Sequence, residues 1–191
     1  MLRPMLRQGV LAAVLTTSAL VSVAQNTQQP SAANGELRYT APAEWTAEKP
    51  SSKARVGQFK LPKAEGDKED AQLVIYYFGP TEGGSASANI ERWIAQMQQP
   101  EGTPAAKPKT ERFTANGLNI TAVDVSGTYV AEMAPGSSEH HNDPNYRLRA
   151  AVIETPKGSY YLKLVGPQKT VQKWSDEIDK FVKSFVFVSR D

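Results

Sequence analysis

The segment Glu139-His140-His141-Asn142-Asp143 has the residue types best suited to ligand chemistry, because it holds both histidines of the chain and two carboxylates. Imidazole and carboxylate groups suit zinc, copper or nickel. The candidate metal ligands are therefore His140, His141 and Asp143. Adjacent histidines on a loop rarely point at one centre and the chain has no third histidine, so an exposed hairpin tip explains the same residues.

Signals for catalysis are weak in the rest of the chain. No Gly-x-Ser-x-Gly elbow occurs, and Ser126 lies in a predicted strand with no candidate base nearby in sequence. Asp124 and Glu154 also lie in predicted strands, where outward-facing positions explain them without a glycosidase pair. The glycines from Gly79 to Gly84 lack the residues of a P-loop or a dinucleotide-binding motif, so a turn and a helix cap explain them. We expect no catalytic residues and no bound cofactor, with a transition metal at the histidine loop as the alternative.

Aromatic residues are a further source of ligand contacts, since several of them could line a groove. Their positions on apolar stripes and strands make core packing the expected role. Tyrosines on the solvent-facing side of a strand are the exception. The residues concerned are Trp45, Tyr76, Tyr77, Trp93, Tyr160, Tyr161 and Trp174.

The elements that position these residues begin with two hairpins. Asn116-Gly117 separates strands predicted at 110–113 and 118–129, and Pro156-Lys157-Gly158 separates strands predicted at 146–155 and 159–165. The run 71–78 is apolar on both faces and predicts a central strand. Shorter strands are predicted at 37–40 and 56–61.

Two helices are predicted from apolar spacings of three and four residues. The first follows a cap at Ser85 or Ser87, and the second follows Gly166-Pro167. The first apolar stripe comprises Ile90, Trp93, Ile94 and Met97. The second comprises Val171, Trp174, Ile178, Phe181 and Phe185.

Tight turns between the strands exclude right-handed parallel crossovers, so the sheet is expected to be mostly antiparallel. The fold class is α+β, a twisted sheet of about six to seven strands with two main helices packed against it. The pattern resembles the PsbP-like superfamily over roughly residues 37–188. The resemblance rests on the opening strand with its turn Pro42-Ala43-Glu44-Trp45, on the helix after the glycine pair, and on Lys183-Ser184-Phe185 at the end of the last helix. It implies an exported or envelope accessory role that works by binding.

The N-terminal residues predict export. Residues 1–24 contain Arg3 and Arg7, then a short apolar run that ends in Ser22-Val23-Ala24, which predicts a signal peptide cleaved near Ala24. A transmembrane anchor is the alternative, but it needs ~20 predominantly apolar residues. Residues 25–35 are polar and predict a flexible leader, and residues 36–191 a single domain. The mature protein is expected in the periplasm or secreted.

The composition limits the classes of molecule that the protein is expected to bind. Without the two signal-peptide arginines, 20 of the 22 basic residues remain against 20 acidic residues, so nothing favours nucleic acid. The chain has no cysteine, which excludes disulfides and thiolate chemistry. We expect a monomeric, non-enzymatic protein that binds a partner protein or a small ligand. The alternatives are metal binding by the loop of His140 and His141, and an unrecognised hydrolase.

Overall fold

The computed structural model describes residues 31–32, 35–99 and 107–189. The expected signal peptide lies outside the described residues, as does most of the expected leader. The main sheet comprises β3 (Thr46–Ala47), β4 (Arg55–Leu61), β5 (Ala71–Tyr77), β6 (Met97–Gln98), β7 (Lys109–Ala115), β8 (Leu118–Tyr129), β9 (Asp143–Thr155) and β10 (Gly158–Pro167). A smaller sheet comprises β1 (Ser31–Ala32), β2 (Gly35–Arg38) and β11 (Val186–Ser189). The helices are α1 (Ala86–Ala95), α2 (Gln168–Lys173) and α3 (Ser175–Lys183).

Every strand pairing in the main sheet is antiparallel. The strands follow the order β3-β4-β5-β10-β9-β8-β6, and β7 also pairs with β8. The predicted α+β class and antiparallel sheet are confirmed. The predicted count of six to seven strands was too low, because the described sheet has eight. Two of these strands, β3 and β6, have only two residues, too few to produce an alternating pattern.

Both predicted hairpins are present, and their turn residues explain them. Asn116 and Gly117 have φ values of 49° and 77°, the left-handed pair that a two-residue hairpin turn requires. The hairpin of β9 and β10 is closed by Gly158 opposite Thr155. Gly158 has a φ of 106°, and a Cβ there would lie 2.6 Å from the carbonyl oxygen of Gly79. Glycine is therefore required at this turn.

The second predicted helix is divided into two. Trp174 ends α2 and precedes α3, with φ −99° and ψ 12°, outside the helical region. Its indole Nε1–H donates to the carbonyl oxygen of Pro62 over 2.8 Å, which fixes the ring against the loop after β4. The apolar spacing continues through this break, so periodicity alone did not reveal it. Phe185 lies beyond the end of α3 and is fully buried.

One face of the main sheet is covered by α2 and α3. Their apolar side chains join Phe59, Leu73 and Leu162 of the sheet in a single core. Phe181 lies at the centre of this core, with its ring centroid 5.1 Å from Trp45 and 5.2 Å from Tyr39 in edge-to-face contact. The second face carries a separate core beneath α1, which contains Ile90, Trp93 and residues of β8 and β9.

We expect Phe181→Ala to lower the free energy of unfolding by about 3 to 5 kcal/mol, because the ring is 1% exposed and its loss leaves a cavity among other aromatic rings. Lys180→Ala, at an exposed position of the same helix, should change it by less than about 0.5 kcal/mol. Urea denaturation followed by tryptophan fluorescence measures both. Equal losses for the two variants would contradict the central position of this ring.

Candidate functional site

The open part of the second sheet face forms a groove. Helix α1 packs against β8 and β9 and leaves parts of β5 and β10 uncovered. The groove has a volume of about 810 Å³. Its floor is formed by β5 and β10, one wall by the end of α1, and the other wall by the segment 129–141. We call it the open-face groove.

Lys163 lies in the floor of the open-face groove, in the middle of β10. Its register partners are Val74 on β5 and Ala150 on β9. Its ammonium group donates to Gln96 Oε1 over 2.7 Å and to the Tyr129 hydroxyl oxygen over 3.0 Å. Both acceptors are neutral. The same nitrogen lies 5.0 Å from the centroid of the Tyr129 ring, a cation–π contact.

Burial and, to a smaller extent, the positive charges of Arg92 and Arg55 together lower the pKa of Lys163 to about 8. Arg55 comes from β4 and Arg92 from α1, and both line the groove. Arg55 donates to Gln58 Oε1 over 3.0 Å and lies over the ring of Tyr76. Arg92 donates to the side-chain oxygen of Asn89.

Within residues 35–99 and 107–189, no carboxylate lies within ion-pair distance of Lys163, Arg55 or Arg92. Glu132 is the carboxylate that lines the groove, and it accepts the backbone N–H of Gly136 over 2.8 Å instead. The described lining therefore combines three positive charges and neutral hydrogen-bond acceptors with one carboxylate, that of Glu132, which lies outside ion-pair distance of all three cations.

The structure brings two of the three candidate metal ligands together. His141 Nδ1 lies 2.8 Å from Asp143 Oδ2, in a hydrogen bond that the carboxylate accepts. His140 is exposed, and its Nδ1 lies 3.1 Å from the carbonyl oxygen of Ser138. Within the described part of the chain, no group of three or more histidine, aspartate and glutamate residues is arranged to hold a metal ion. The metal site stays a prediction.

The loop of His140 and His141 nevertheless belongs to the site, because both histidines line the open-face groove. The His141 ring lies 4.9 Å from that of Tyr129, the residue that bonds Lys163. Asp143 lies in an adjoining depression of about 580 Å³, which shares Tyr129 and His141 with the groove. The predicted residues are therefore at the edge of the site rather than at its centre.

The other residues considered from sequence have structural contacts. The Arg147 side chain donates to Asp124, and Glu154 is exposed. The Ser85 hydroxyl accepts the backbone N–H of Ala88 and caps α1, as predicted. Trp45, Trp93, Tyr160, Tyr161 and Trp174 are buried, as expected for core residues. Tyr76 is half-buried and lines the groove, and it is therefore a tyrosine on the solvent-facing side of a strand, the expected exception to core packing.

Lys163 was missed from sequence, although a signal was present. Residues 160–165 read Tyr-Tyr-Leu-Lys-Leu-Val, so both faces of this strand are apolar except at the lysine. Tyr161 and Val165, two positions away on either side, point to the same face as Lys163. A single charge within an otherwise apolar strand is costly to bury, which makes it a candidate for function.

The fold and the groove define an α+β protein whose main sheet carries α2 and α3 on one face and, on the other, α1 with the open-face groove beside it. LpqN of Mycobacterium tuberculosis, described as involved in cell envelope biogenesis, matches with a TM-score of 0.51 and 12% sequence identity over 81% of this chain and 84% of LpqN. PA94 of Pseudomonas aeruginosa, a protein of unknown function, matches with a TM-score of 0.44 and 14% identity over 75% of this chain and 96% of that protein. No protein-family model and no curated protein matches the sequence.

At such low identity the likeness to LpqN shows the fold alone. Neither matching structure is named as a PsbP-like protein, so the specific superfamily stays a prediction. Among the described residues, no helix has the length and apolar character needed to span a membrane.

We expect the free energy of unfolding to increase with pH because Lys163 loses its proton at a lower pH in the folded protein than in the unfolded chain. Between about pH 8 and pH 10.5 the unfolded chain still binds a proton that the folded chain has lost, so the free energy of unfolding increases across this window. Relative to Lys163→Met, wild type should gain on the order of 1 to 2 kcal/mol between about pH 8 and pH 10. Urea denaturation at each pH measures the difference, and parallel profiles for the two proteins would contradict the lowered pKa.

Proposed function

We propose that this protein is an exported accessory protein of the cell envelope that binds a small ligand in the open-face groove without chemical conversion. The observation that carries the proposal is the groove itself, a concavity of about 810 Å³ floored by two central strands. Ligand sites in proteins are typically concavities of this size, lined by apolar groups with a few polar groups. Here the half-buried Val165 and the exposed Ala95 and Met133 supply apolar surface among the polar side chains of the lining.

The composition of the lining favours binding over catalysis. Nucleophilic catalysis by a hydroxyl or thiol needs a general base beside it, and a lysine amine is a nucleophile only after it has lost its proton. Lys163, with a pKa of about 8, is mostly protonated at neutral pH. His140 and His141 are the candidate bases of the groove, and the described lining places no serine, threonine or cysteine with them. The hydroxyl groups that do line it belong to Tyr76 and Tyr129. Burial raises the pKa of the Tyr129 hydroxyl to about 12, so it serves as a hydrogen-bonding group at neutral pH.

Three features support the envelope location. The signal peptide expected over residues 1–24 predicts export. The resemblance to the PsbP-like superfamily implies an accessory role outside the cytoplasm. LpqN, which shares the fold, is described as involved in cell envelope biogenesis. We include PsbP-like membership, a periplasmic or secreted location and a monomeric state in the proposal.

A test of the proposal uses N-phenyl-1-naphthylamine, an uncharged apolar fluorophore whose emission increases in apolar surroundings. We expect saturable binding that Ala95→Trp abolishes, because Ala95 lines the groove and is exposed at the end of α1, where a large side chain fills the space. Ala88→Trp is the matched control, at an exposed position of the same helix outside the groove. Absence of saturable binding to wild type, or equal loss in both variants, would overturn the proposal.

Binding of a transition metal by His141 is a second candidate function, favoured by one observation. The hydrogen bond to Asp143 occupies Nδ1 of His141 and leaves Nε2 for a metal, an arrangement common among histidine ligands. His140 would have to reorient to share the ion, since its Nδ1 contacts a backbone carbonyl group.

For this second candidate we expect calorimetric titration with Zn²⁺ to show binding that His141→Ala abolishes and Asp143→Asn weakens. The loss of a group that orients a ligating histidine typically costs about 10- to 100-fold in metal affinity. Ser138→Ala is the control in the same loop, because its contact with His140 is made by the backbone oxygen. Heat no greater than that of dilution would exclude the metal function.

A further inference from the structure

The charge of the open-face groove points to the kind of ligand that it binds, if the groove is the binding site proposed above. Lys163 donates two hydrogen bonds to neutral side chains, and an ammonium group has three N–H donors. The third donor has no protein acceptor among the residues that the structure describes. Lys163 therefore has both an unbalanced charge and an unused donor.

The two arginines add to the positive charge at the same place. Arg92 and Arg55 approach from α1 and β4, on different sides of Lys163, and their charges act on its ammonium group. Their own hydrogen bonds go to the amide oxygens of Asn89 and Gln58, which carry no charge. Glu48, which also bonds Gln58 and feels the charge of Arg55, is paired with Lys60 and is not part of the groove lining. Three cations that repel one another are stabilised by an anion between them. Guanidinium groups are well suited to bind oxyanions through paired N–H donors.

The remainder of the groove suits an apolar group. Val74 and Val165 lie beside Lys163 on the floor, and the half-buried ring of Tyr76 continues it. Met133, at the opposite wall, is 58% exposed and adds apolar surface to the groove. An inorganic anion alone would leave this apolar surface in water. The combination fits a molecule with an anionic head and an apolar body.

We infer that the open-face groove binds an anionic amphiphile, with its carboxylate or phosphate head among Lys163, Arg92 and Arg55 and its apolar body along Val74, Val165 and Met133. The inference rests on the proposed function and adds to it the chemical class of the ligand. Free inorganic anions and uncharged amphiphiles lack one of the two parts that the groove accommodates.

The experiment measures displacement of N-phenyl-1-naphthylamine by dodecanoate, dodecyl phosphate, dodecanol and inorganic phosphate, each below its aggregation concentration. We expect dodecanoate or dodecyl phosphate to displace the fluorophore at concentrations about 10- to 100-fold lower than dodecanol. One or two charge-assisted hydrogen bonds to the head group account for a difference in affinity of this size. Inorganic phosphate should not displace the fluorophore. Equal displacement by dodecanol and dodecanoate would overturn the inference and leave the proposed function intact, whereas failure of the fluorophore to bind wild type would overturn the proposed function itself.

Variants identify the position of the head group. Lys163→Met and Arg92→Gln should each weaken dodecanoate about tenfold or more, with little change for dodecanol. Arg92 is exposed on α1, so its replacement tests the site even if a change at Lys163 disturbs the sheet. Lys180→Met, on α3 behind the opposite face, is the control for net charge and should leave both affinities unchanged. Equal weakening of dodecanoate by Lys180→Met and Arg92→Gln would indicate general charge attraction and overturn the assigned site.

Discussion

The central position of β10, whose side chains enter the cores on both faces of the sheet, is the constraint on which the rest of the structure depends. This strand lies between β5 and β9, and its side chains contribute to the cores on both sides of the sheet. Because side chains alternate along a strand, Leu162 and Leu164 pack toward α2 and α3 while Lys163 must point to the other face. The position of the one charge in residues 160–165 is thus set by the pairing of the central strands.

Because α1 covers only part of the second face, Lys163 lies in the open-face groove, which is the candidate site. Helix α1 packs against β8 and β9, and Arg92 in its last turn and Gln96 at its C-cap lie at the edge of the uncovered area. Tyr129 completes the contacts of Lys163 from the end of β8. The helix therefore both stabilises half of the face and forms a wall of the groove. A helix covering the whole face would bury Lys163 without access to a ligand.

The likeness to LpqN agrees with this division between fold and site. Two chains with 12% identity share an architecture because alternation in the strands and the apolar faces of the helices suffice to specify it. The side chains that line the groove are not required by that architecture. Function on such a fold is determined by the groups at the site, so the inferred class of ligand depends on Lys163, Arg55 and Arg92 and not on the resemblance.

The sequence by itself determined the fold class and the two hairpins and limited the helix cap to Ser85 or Ser87, because Asn116-Gly117, Pro156-Lys157-Gly158 and the serines act through local backbone preferences. It did not predict the two-residue strands or the break at Trp174, which depend on contacts with distant segments such as Pro62. It identified the histidine loop but not Lys163 or its partners. Arg55, Arg92 and Lys163 lie on separate elements, and only the order of strands and the placement of α1 bring their charges together.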